Sequence, residues 1–505
     1  MPTSEACAPG LPHRGAAGAG WRFAVADSLE KVYPGRAPRP LDDTIPCSVF
    51  PGETASFQLA YHPPAGEPPL EVDLRLEFTG ASSRYARLFL VELVPVELAA
   101  FPGHDADYDD DRPGLYPDLL RPAHDGRLRP VPGQWRSAWI DLRVDDPCAA
   151  GAHVLGIRVL ADGVEIHHCE LVVEVMPTLA PALELTNSHW LHADALADHY
   201  RVEVFSPEHW EILERFIAKA AELGANSLLT PVWTPPLDTA VGSYRTPVQL
   251  VGVHQDAAGY TFDFGRLHRW IARLEISHLF TQWGARSCPA IYVDTPTGRQ
   301  RRFGWDTPAT DPSWRRFLAT LLPQLLAVLD DRVGRANVVL HVSDEPSADD
   351  VDAYLAARAQ VADLIDGWVV MDALSDLDYV RSGAVATPVV ATDAVRPFLA
   401  ERPGTLWVYY CMAQHSGVAN RFIAMPSARS RALGHQLFAS GVDGFLHWGF
   451  NFYYSLYARR LIDPFRDTCA DGHFPGGDAF VVYPGPDGEP LESIRFKILA
   501  QLAWD

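Results

Sequence analysis

The chain of 505 residues is poor in lysine: Lys31, Lys219 and Lys497 are the only three, and arginine carries nearly all the positive charge. Without a Gly-Lys-Ser/Thr segment the sequence excludes a P-loop, and it leaves few candidates for Schiff-base chemistry. Acidic residues outnumber basic ones by 64 to 42, which gives a net charge of −22. This charge argues against nucleic acid as a partner, because phosphates demand a basic surface.

Cysteine pairs are also missing. The seven cysteines are odd in number, widely spaced and form no Cys-x-x-Cys. We interpret them as mostly reduced, buried thiols rather than as a disulfide framework or a zinc site. They are Cys7, Cys47, Cys148, Cys169, Cys288, Cys411 and Cys469.

Long apolar runs are absent as well. No segment reaches the length of a transmembrane helix. The N-terminus, rich in Gly, Ala and Pro up to Gly20, has no apolar stretch of signal-peptide length. We therefore expect residues 1–20 to be a disordered leader, and the protein to be soluble and cytoplasmic without a membrane partner.

What remains is an ordinary globular composition, 48% hydrophobic and 11% aromatic, over a length that predicts two or three domains. Residues 21–177 alternate short apolar runs with Pro and Gly, and no helical pattern interrupts them. This is typical of a β-sandwich, with a hairpin turn at Asp162-Gly163. The predicted strands are Ser56–Tyr61, Leu70–Phe78, Leu88–Val94, Ala138–Val144, Val154–Val159 and Glu165–Val175.

A polar stretch interrupts these strands from Gly103 to Gly133, and we predict a long loop there. Its triplet Asp109-Asp110-Asp111 has oxygen ligands suited to calcium. We interpret the triplet as a solvated turn, since charge runs are usually solvated faces.

After a linker at Met176–Ala182 the pattern changes to alternating strands and helices. Ser206 followed by Pro207 predicts a helix start, and Asp311-Pro312 predicts another. About eight strand–helix units predict a (β/α)8 barrel of the TIM type over residues 183–505, so the fold class is α/β with an N-terminal β-sandwich. The predicted strands are Leu185–Trp190, Ser227–Leu229, Ile276–Phe280, Val338–Ser343, Trp368–Met371, Val389–Val390, Leu406–Tyr410 and Gly444–Trp448.

Two adjacent carboxylates, Asp344 and Glu345, close one of these strands, and Pro346 follows at once. Because Pro cannot continue a strand ladder, the pair lies at a strand end, where α/β barrels build active sites. By itself the dipeptide favours an exposed helix start, with Ser347 as N-cap and Asp350 at N3. The alternative is that two carboxylates held close together take different protonation states and act as acid and base.

The other strand ends favour the chemical interpretation, because they are unusually aromatic and polar. Trp and Tyr rings stack on the C–H faces of sugars, while hydroxyls bind polar partners. Together these residues predict a sugar pocket and a glycosidase. They are His189, Trp190, Trp233, His278, Trp283, Asp372, Tyr409, Tyr410, His447, Trp448, Asn451, Tyr453 and Tyr454.

Seven ordered segments carry a resemblance to a known family. They are His278-Leu-Phe-Thr-Gln-Trp-Gly284, Phe303-Gly-Trp-Asp306, His341-Val-Ser-Asp-Glu-Pro346, Met371-Asp-Ala-Leu-Ser375, Asn420-Arg-Phe422, Gly444-Phe-Leu-His-Trp-Gly-Phe-Asn-Phe452 and Gly477-Asp478 through Tyr483-Pro-Gly485. Together they resemble glycoside hydrolase family 123 and its related catalytic domains, from Leu183 to the C-terminus. The preceding sandwich, with Pro51-Gly-Glu53 and Tyr116-Pro-Asp118, resembles the N-terminal domain that accompanies them.

The resemblance implies a retaining exo-β-N-acetylgalactosaminidase that acts on a carbohydrate substrate, with the chemistry carried by the Asp-Glu pair. Glu345 would be the general acid/base, and Asp344 would orient and stabilise the 2-acetamido group of the substrate. No cofactor and no metal are implied. Trp448 is expected to form the floor under the sugar. The other substrate-binding candidates are His278, Trp283, Asp372, Tyr409, Asn451 and Tyr453.

The adjacency of the pair fits this mechanism. The nucleophile and acid of an ordinary retaining glycosidase stand roughly 5–5.5 Å apart on either side of the anomeric carbon, which sequence neighbours are not expected to do. Substrate assistance removes that need, since the acetamido carbonyl attacks the anomeric carbon and forms an oxazolinium ion. Ionised Asp344 accepts the acetamido N–H, while Glu345 protonates the leaving oxygen and later deprotonates water. We expect Glu345 to be the member of the pair whose pKa is raised.

Three alternatives stay open. One is the same mechanism on another sugar such as β-N-acetylglucosamine, because discrimination at the C4 hydroxyl rests on one or two contacts. Another is a non-catalytic carbohydrate-binding protein, against which the presence of both carboxylates speaks. The third, a metal-dependent hydrolase, is disfavoured because the 19 histidines form no His-x-x-x-His or His-x-His beside the strand ends.

The last helix of the chain is short. An amphipathic helix begins at Ser493 and stops at Asp505, earlier than the family pattern suggests. We expect a short C-terminal extension, and this leaves barrel closure and the oligomeric state, a homodimer included, undecided.

Overall fold

The protein has a mixed α/β fold. A computed structural model describes residues 20–41, 47–64, 72–146, 149–181, 183–272, 276–279, 287–346, 348–402 and 404–504. The chain divides into two compact units. The first comprises Met1–Leu93, Tyr116–Ala182 and Trp504, and the second comprises Val94–Leu115, Leu183–Ala503 and Asp505.

The first unit contains two β-sheets with a shared apolar core. The strands are β1 (Arg22–Asp27), β2 (Cys47–Val49), β3 (Thr54–His62), β4 (Leu74–Thr79), β5 (Ala86–Val96), β6 (Gly114–Pro122), β7 (Arg136–Arg143), β8 (Gly151–Ala161) and β9 (Val164–Val175). One sheet has the order β1-β3-β7-β5-β6 and the other the order β2-β9-β8-β4. Leu59 and Ile140 from the first sheet and Leu155, Ile157 and Val173 from the second lie in one buried cluster.

Strand β6 corrects the prediction of an uninterrupted loop from Gly103 to Gly133. Five consecutive residues of β6, Tyr116 to Leu120, are buried. Because residues pointing to both faces are covered, the strand shows no alternation of apolar and polar residues for sequence analysis to detect.

The acidic triplet of this segment lies before β6. Asp110 accepts hydrogen bonds from Nε and from a terminal nitrogen of Arg112, at 2.9 and 2.7 Å. Among the described residues, no group of three or more His, Cys, Asp or Glu side chains is placed to hold a metal ion.

The second unit contains eight parallel strands that pair in a closed ring. In ring order these are β10 (Thr186–His189), β11 (Ser227–Thr230), β14 (Ile276–Leu279), β17 (Val338–Leu340), β18 (Val369–Ala373), β19 (Thr387–Ala391), β20 (Trp407–Tyr409) and β21 (Gly444–His447), and β21 pairs with β10. A side sheet is formed by β12 (Gly252–Asp256), β13 (Gly259–Asp263), β15 (Tyr292–Thr295) and β16 (Gly298–Arg301), and β22 (Tyr483–Pro484) pairs with β23 (Pro490–Ser493). Each of the eight ring strands overlaps a segment that the apolar runs predict, and β11, β18 and β19 extend beyond the predicted bounds.

Helices follow the ring strands, and two of them start at the residues that the capping signals predict. The Ser206 hydroxyl accepts the His209 N–H at the start of α2, and the Asp311 carboxylate accepts the Ser313 N–H at the start of α4. The helices are α1 (Ala193–Tyr200), α2 (Pro207–Glu222), α3 (Gly265–Ile271), α4 (Pro312–Arg332), α5 (Val351–Ala359), α6 (Asp378–Arg381), α7 (Val395–Glu401), α8 (Ser427–Ser440) and α9 (Ile494–Ala500). In the described part of the chain, no helix combines the length and the hydropathy that a membrane span requires.

The interior of the ring is an apolar cluster built from alternate strand residues. Side chains alternate between the two faces of a strand, so the residues next to these in sequence face the surrounding helices. This alternation decides which strand-end residues can reach a pocket. The interior residues include Leu229, Val339, Met371, Ala373, Val389, Trp407, Tyr409 and Leu446.

The five cysteines that the structure describes are all free thiols. They are Cys47, Cys169, Cys288, Cys411 and Cys469.

Candidate active site

Asp344 and Glu345 lie in the loop that follows β17, which ends at Leu340. The backbone of Glu345 has a φ of +40°, in the left-handed region that residues other than glycine rarely adopt. Adjacent residues of a regular strand point to opposite faces, and the left-handed turn breaks that rule at this position. Strained conformations of this kind cluster at functional sites.

Glu345 contacts the end of β20, and the charge of Asp344 acts on the same residues. The Tyr409 hydroxyl donates a hydrogen bond to Oε1 of Glu345. Burial raises the pKa of Tyr409, and the charge of Glu345 and, more weakly, that of Asp344 raise it further. Both carboxylates, together with Asp478, also raise the pKa of the Cys411 thiol, although burial is the main cause. Asp344 and Glu345 therefore act on one small region of the unit.

The member of the pair with the perturbed protonation is Asp344. Glu345 is exposed, whereas Asp344 is half-buried. Burial raises the pKa of Asp344 well above its ordinary value, and the charges of Glu345 and then Asp372 raise it further. The sequence predicts the raised pKa on Glu345. The structure differs because Asp344 is the less exposed of the two and also lies near a third carboxylate.

Asp372 does not take the place in the pocket wall that the sequence predicts. Its neighbours Met371 and Ala373 belong to the interior cluster of the ring, so the side chain between them points the other way. The carboxylate is fully buried and accepts the N–H groups of Val342 and Ser343, at 2.8 and 3.0 Å.

Two further donors complete the surroundings of the Asp372 carboxylate. Nδ1 of His341 lies 3.1 Å from Oδ1, and the hydroxyl of Tyr354 on α5 donates to Oδ2 at 2.5 Å. Asp372 thus links the loop that carries Asp344 and Glu345 to helix α5. Nothing in the sequence indicates this role of Tyr354, because an aromatic residue at this position of α5 fits the buried face of an ordinary helix.

Trp448 follows β21 and is half-buried against the interior cluster. Its Nε1–H donates to Oδ2 of Asp478 at 3.2 Å, and its ring packs edge-on against Phe452 and Phe474. Burial raises the pKa of Asp478 to about 7. The His192 ring also packs edge-on against the indole. A half-buried ring that is held in this way can serve as an apolar surface for a sugar.

Asn451 and Tyr453 are fully buried and are occupied by contacts within the protein. The Asn451 side chain accepts the N–H of His192 at 2.8 Å and donates to its carbonyl at 3.1 Å. The Tyr453 hydroxyl donates to the carbonyl of Val482 at 3.0 Å. Both side chains thus connect segments of the protein, and their role as substrate ligands stays a prediction.

Arg421, which belongs to the Asn420-Arg-Phe422 segment, is also fully buried. Its guanidinium donates to the backbone carbonyls of Gly449 and Asp478. It therefore holds together the segments that carry Trp448 and its partner.

Three predicted positions fall wholly or partly outside the described residues. His278 is a backbone member of β14, in register with Leu229 and Val339. Trp283 and the helix-cap candidate Ser347 lie outside the described residues.

The described arrangement can perform acid–base chemistry. It joins an exposed carboxyl group with a tyrosine donor, a half-buried carboxyl group whose pKa is raised, and a half-buried indole. Two carboxyl groups in different environments can carry opposite protonation states at one pH.

Comparisons with known proteins identify the family of the chain. The profile of the glycoside hydrolase 123 catalytic domain matches residues 190–504. A family 123 glycoside hydrolase from Clostridium perfringens, described in work on glycolipid glycan hydrolysis, has a similar fold. Its TM-score is 0.74 at 14% identity, over 96% of this chain and 87% of that one. No curated protein matches the chain.

Weaker structural likenesses are also to glycoside hydrolases. A family 39 enzyme from Bacteroides cellulosilyticus WH2 has a TM-score of 0.34 at 10% identity, over 86% of this chain and 80% of that one. A family 5 xyloglucanase from Bacteroides ovatus has a TM-score of 0.32 at 7% identity, over 92% of this chain and 99% of that one. These values are too low to carry an argument. The profile match covers more than half of the chain, and the protein therefore belongs to glycoside hydrolase family 123.

Proposed function

We propose that the protein is a retaining exo-β-N-acetylgalactosaminidase that removes terminal β-linked N-acetylgalactosamine by substrate-assisted catalysis. The observation that carries the proposal is the geometry of the pair: Asp344 and Glu345 are neighbours in the loop after β17, the backbone of Glu345 is left-handed, and its Oε1 accepts a hydrogen bond from the Tyr409 hydroxyl. We also interpret the closed ring with its helices as a (β/α)8 barrel and the two-sheet unit as a β-sandwich.

The adjacency argues for a nucleophile that comes from the substrate. In a double displacement the two carboxyl groups stand roughly 5–5.5 Å apart and flank the anomeric carbon. Asp344 and Glu345 act on the same two residues, Tyr409 and Cys411, which fits one side of a sugar better than two. A 2-acetamido group supplies the missing nucleophile.

In the first step the acetamido oxygen bonds to the anomeric carbon, while the glycosidic bond breaks and Glu345 gives its proton to the leaving oxygen. Asp344, in its ionised form, accepts the acetamido N–H and stabilises the positive charge of the oxazolinium ion. In the second step water attacks the anomeric carbon and Glu345 takes its proton. The acetamide is restored, and the sugar leaves with its anomeric configuration retained.

The raised pKa of Asp344 adds a condition to this mechanism. The group favours its protonated form in the free protein, yet it must be ionised to accept an N–H. The acid limb of the activity profile is therefore assigned to Asp344. Trp448 and Tyr409 remain our candidates for contact with the sugar. The glycan hydrolysis described for the Clostridium perfringens enzyme supports a carbohydrate substrate here.

Purified protein assayed on 4-nitrophenyl β-glycosides, with and without the 2-acetamido group and in both C4 configurations, tests the proposal. We expect turnover of the N-acetylgalactosaminide and a retained anomer by proton NMR. Turnover of only the gluco epimer would move the assignment to an N-acetylglucosaminidase. Turnover only of sugars without the acetamido group would exclude the mechanism, and binding without turnover would favour a carbohydrate-binding protein.

A further inference from the structure

The loop that carries the catalytic pair leaves the sheet before the pair is reached. β17 pairs with β18 through Val339–Val369 and Leu340–Val370, and this ladder ends there. The next N–H groups, those of Val342 and Ser343, bond instead to the side chain of Asp372. A carboxylate of one strand thus takes the place that a backbone carbonyl would occupy.

We propose that Asp372 is a positioning residue for the pair, which holds the loop after β17 in the conformation that turns Asp344 and Glu345 toward one region. The carboxylate has no solvent exposure, and donors from two elements reach it: the backbone and the His341 ring of the loop after β17, and the hydroxyl of Tyr354 on α5. Backbone N–H groups only donate, and a carboxylate that accepts at both oxygens suits its ionised form.

The charge of Asp372 acts on the pair as well as its hydrogen bonds. Asp372 is one of the groups whose charge raises the pKa of Asp344. A buried carboxylate with its oxygens occupied cannot touch substrate, but it favours the proton on its neighbour. Asp372 therefore acts on the reaction through Asp344 and through the shape of the loop.

Asp372→Asn tests the charge, because the amide keeps the shape and one acceptor oxygen. We expect kcat/KM to fall by about 10²-fold, the size of effect that a small misplacement of catalytic groups produces. We also expect the acid limb of the pH profile to move to lower pH, since Asp344 loses a negative neighbour. A residue with a merely structural role would leave the acid limb in place.

Two matched variants separate this effect from lost stability. Tyr354→Phe removes one donor to the Asp372 carboxylate and leaves the backbone contacts, so we expect a smaller loss and the same acid limb. Asp141→Asn changes another fully buried carboxylate, which accepts the Ser56 hydroxyl and the Trp139 indole N–H in the first unit. It should lower stability without moving the acid limb.

Asp372→Ala tests the anchoring without any need for activity. Hydrogen exchange of the Val342 and Ser343 amides should be faster in this variant than in the wild type, and unchanged in Tyr354→Phe.

Should Asp372→Ala not fold, the pH profile of Asp372→Asn decides. The catalytic half of the inference rests on the proposed function, whereas the exchange result does not. If the wild type hydrolyses no acetamido sugar, the proposed function is wrong, and the exchange data alone then test whether Asp372 anchors the loop. Unchanged amide exchange together with an unmoved acid limb would overturn the inference.

Discussion

The hydroxyl of Tyr409 on β20 donates a hydrogen bond to Oε1 of Glu345, which lies in the loop after β17. Glu345 is exposed, so this contact fixes a side chain that solvent would otherwise leave free. Because the contact orients the proposed acid/base, its loss should misplace that group, and a small misplacement of a catalytic group can cost about 10²-fold in rate. We expect Tyr409→Phe to lower kcat/KM roughly 10- to 100-fold with little change in stability.

Tyr410→Phe is the matched control for this variant. Tyr410 is the next residue, is fully buried and lies 5.1 Å from the His447 ring, and its hydroxyl has no hydrogen-bond partner among the described residues. Activity should be unchanged when that hydroxyl is removed. Equal losses in both variants would show that the effect at Tyr409 is one of folding.

Glu345→Gln removes the proposed acid, so its effect should depend on the leaving group. For a poor leaving group we expect a loss of about 10²–10⁴-fold, the usual size of general acid–base catalysis. For a nitrophenolate, which leaves without protonation, the first step should survive and the second should be slow. Azide should then restore turnover and yield a β-glycosyl azide. Azide should not rescue Asp344→Asn, because that variant is impaired in forming the oxazolinium ion.

Asp344→Asn should lower the activity of the protein but raise its stability at neutral pH. Activity should fall by about 10²–10³-fold, since a group that stabilises transition-state charge is lost. The pKa of Asp344 is raised in the folded protein, so the folded state resists ionisation while the unfolded state ionises freely. Wild-type stability is therefore lost as pH rises above the unfolded pKa.

Thermal unfolding against pH measures this second effect. The Asn variant should melt at a higher temperature than the wild type at neutral pH, and the difference should disappear near the ordinary carboxyl range, about pH 4. A variant less stable than the wild type at neutral pH would contradict the assigned direction of the pKa shift.

Asp105 should behave in the opposite way. Its carboxylate accepts two hydrogen bonds of 2.8 Å from Arg429 of α8, and this guanidinium is the main cause that holds the pKa of Asp105 well below its usual value. The contribution to stability is present above the unfolded pKa and is lost as pH falls through the folded value. We expect Asp105→Asn to destabilise the protein by about 1–3 kcal/mol at neutral pH and by less in acid.

Asp110→Asn provides the comparison in the same segment. Asp110 also pairs with an arginine, but Arg112 is only two residues away and its side chain is 80% exposed. Such exposed local pairs contribute little. Equal destabilisation by both substitutions in urea titrations would refute the distinction.

The strands of the ring were predictable because each is a short apolar run at the start of a repeating unit. β6 was not, since its buried residues are consecutive and the sequence around Tyr116 shows no alternation. The helix starts at Ser206 and Asp311 could be placed because capping is a local property of the chain.

The site was only partly predictable, because sequence indicates which residues end a strand but not which face they occupy. Asp372 and Tyr409 both end strands, yet one points to the helices and the other to the ring interior. Asn451 bonds to His192, which lies 259 positions away in the chain, and no local signal reveals such a partner. The pKa of Asp344 likewise depends on Asp372, which the fold brings close.

The central claim is that the 2-acetamido group of the substrate is the nucleophile beside Asp344 and Glu345. The most direct test is kcat/KM for a series of aryl β-glycosides in which the acetyl group carries none, one, two or three fluorine atoms. Fluorine withdraws electron density from the attacking carbonyl oxygen without changing the leaving group. The account predicts a steep fall in kcat/KM with each added fluorine. A rate that stays level across the series would contradict it and would assign the nucleophile to the protein.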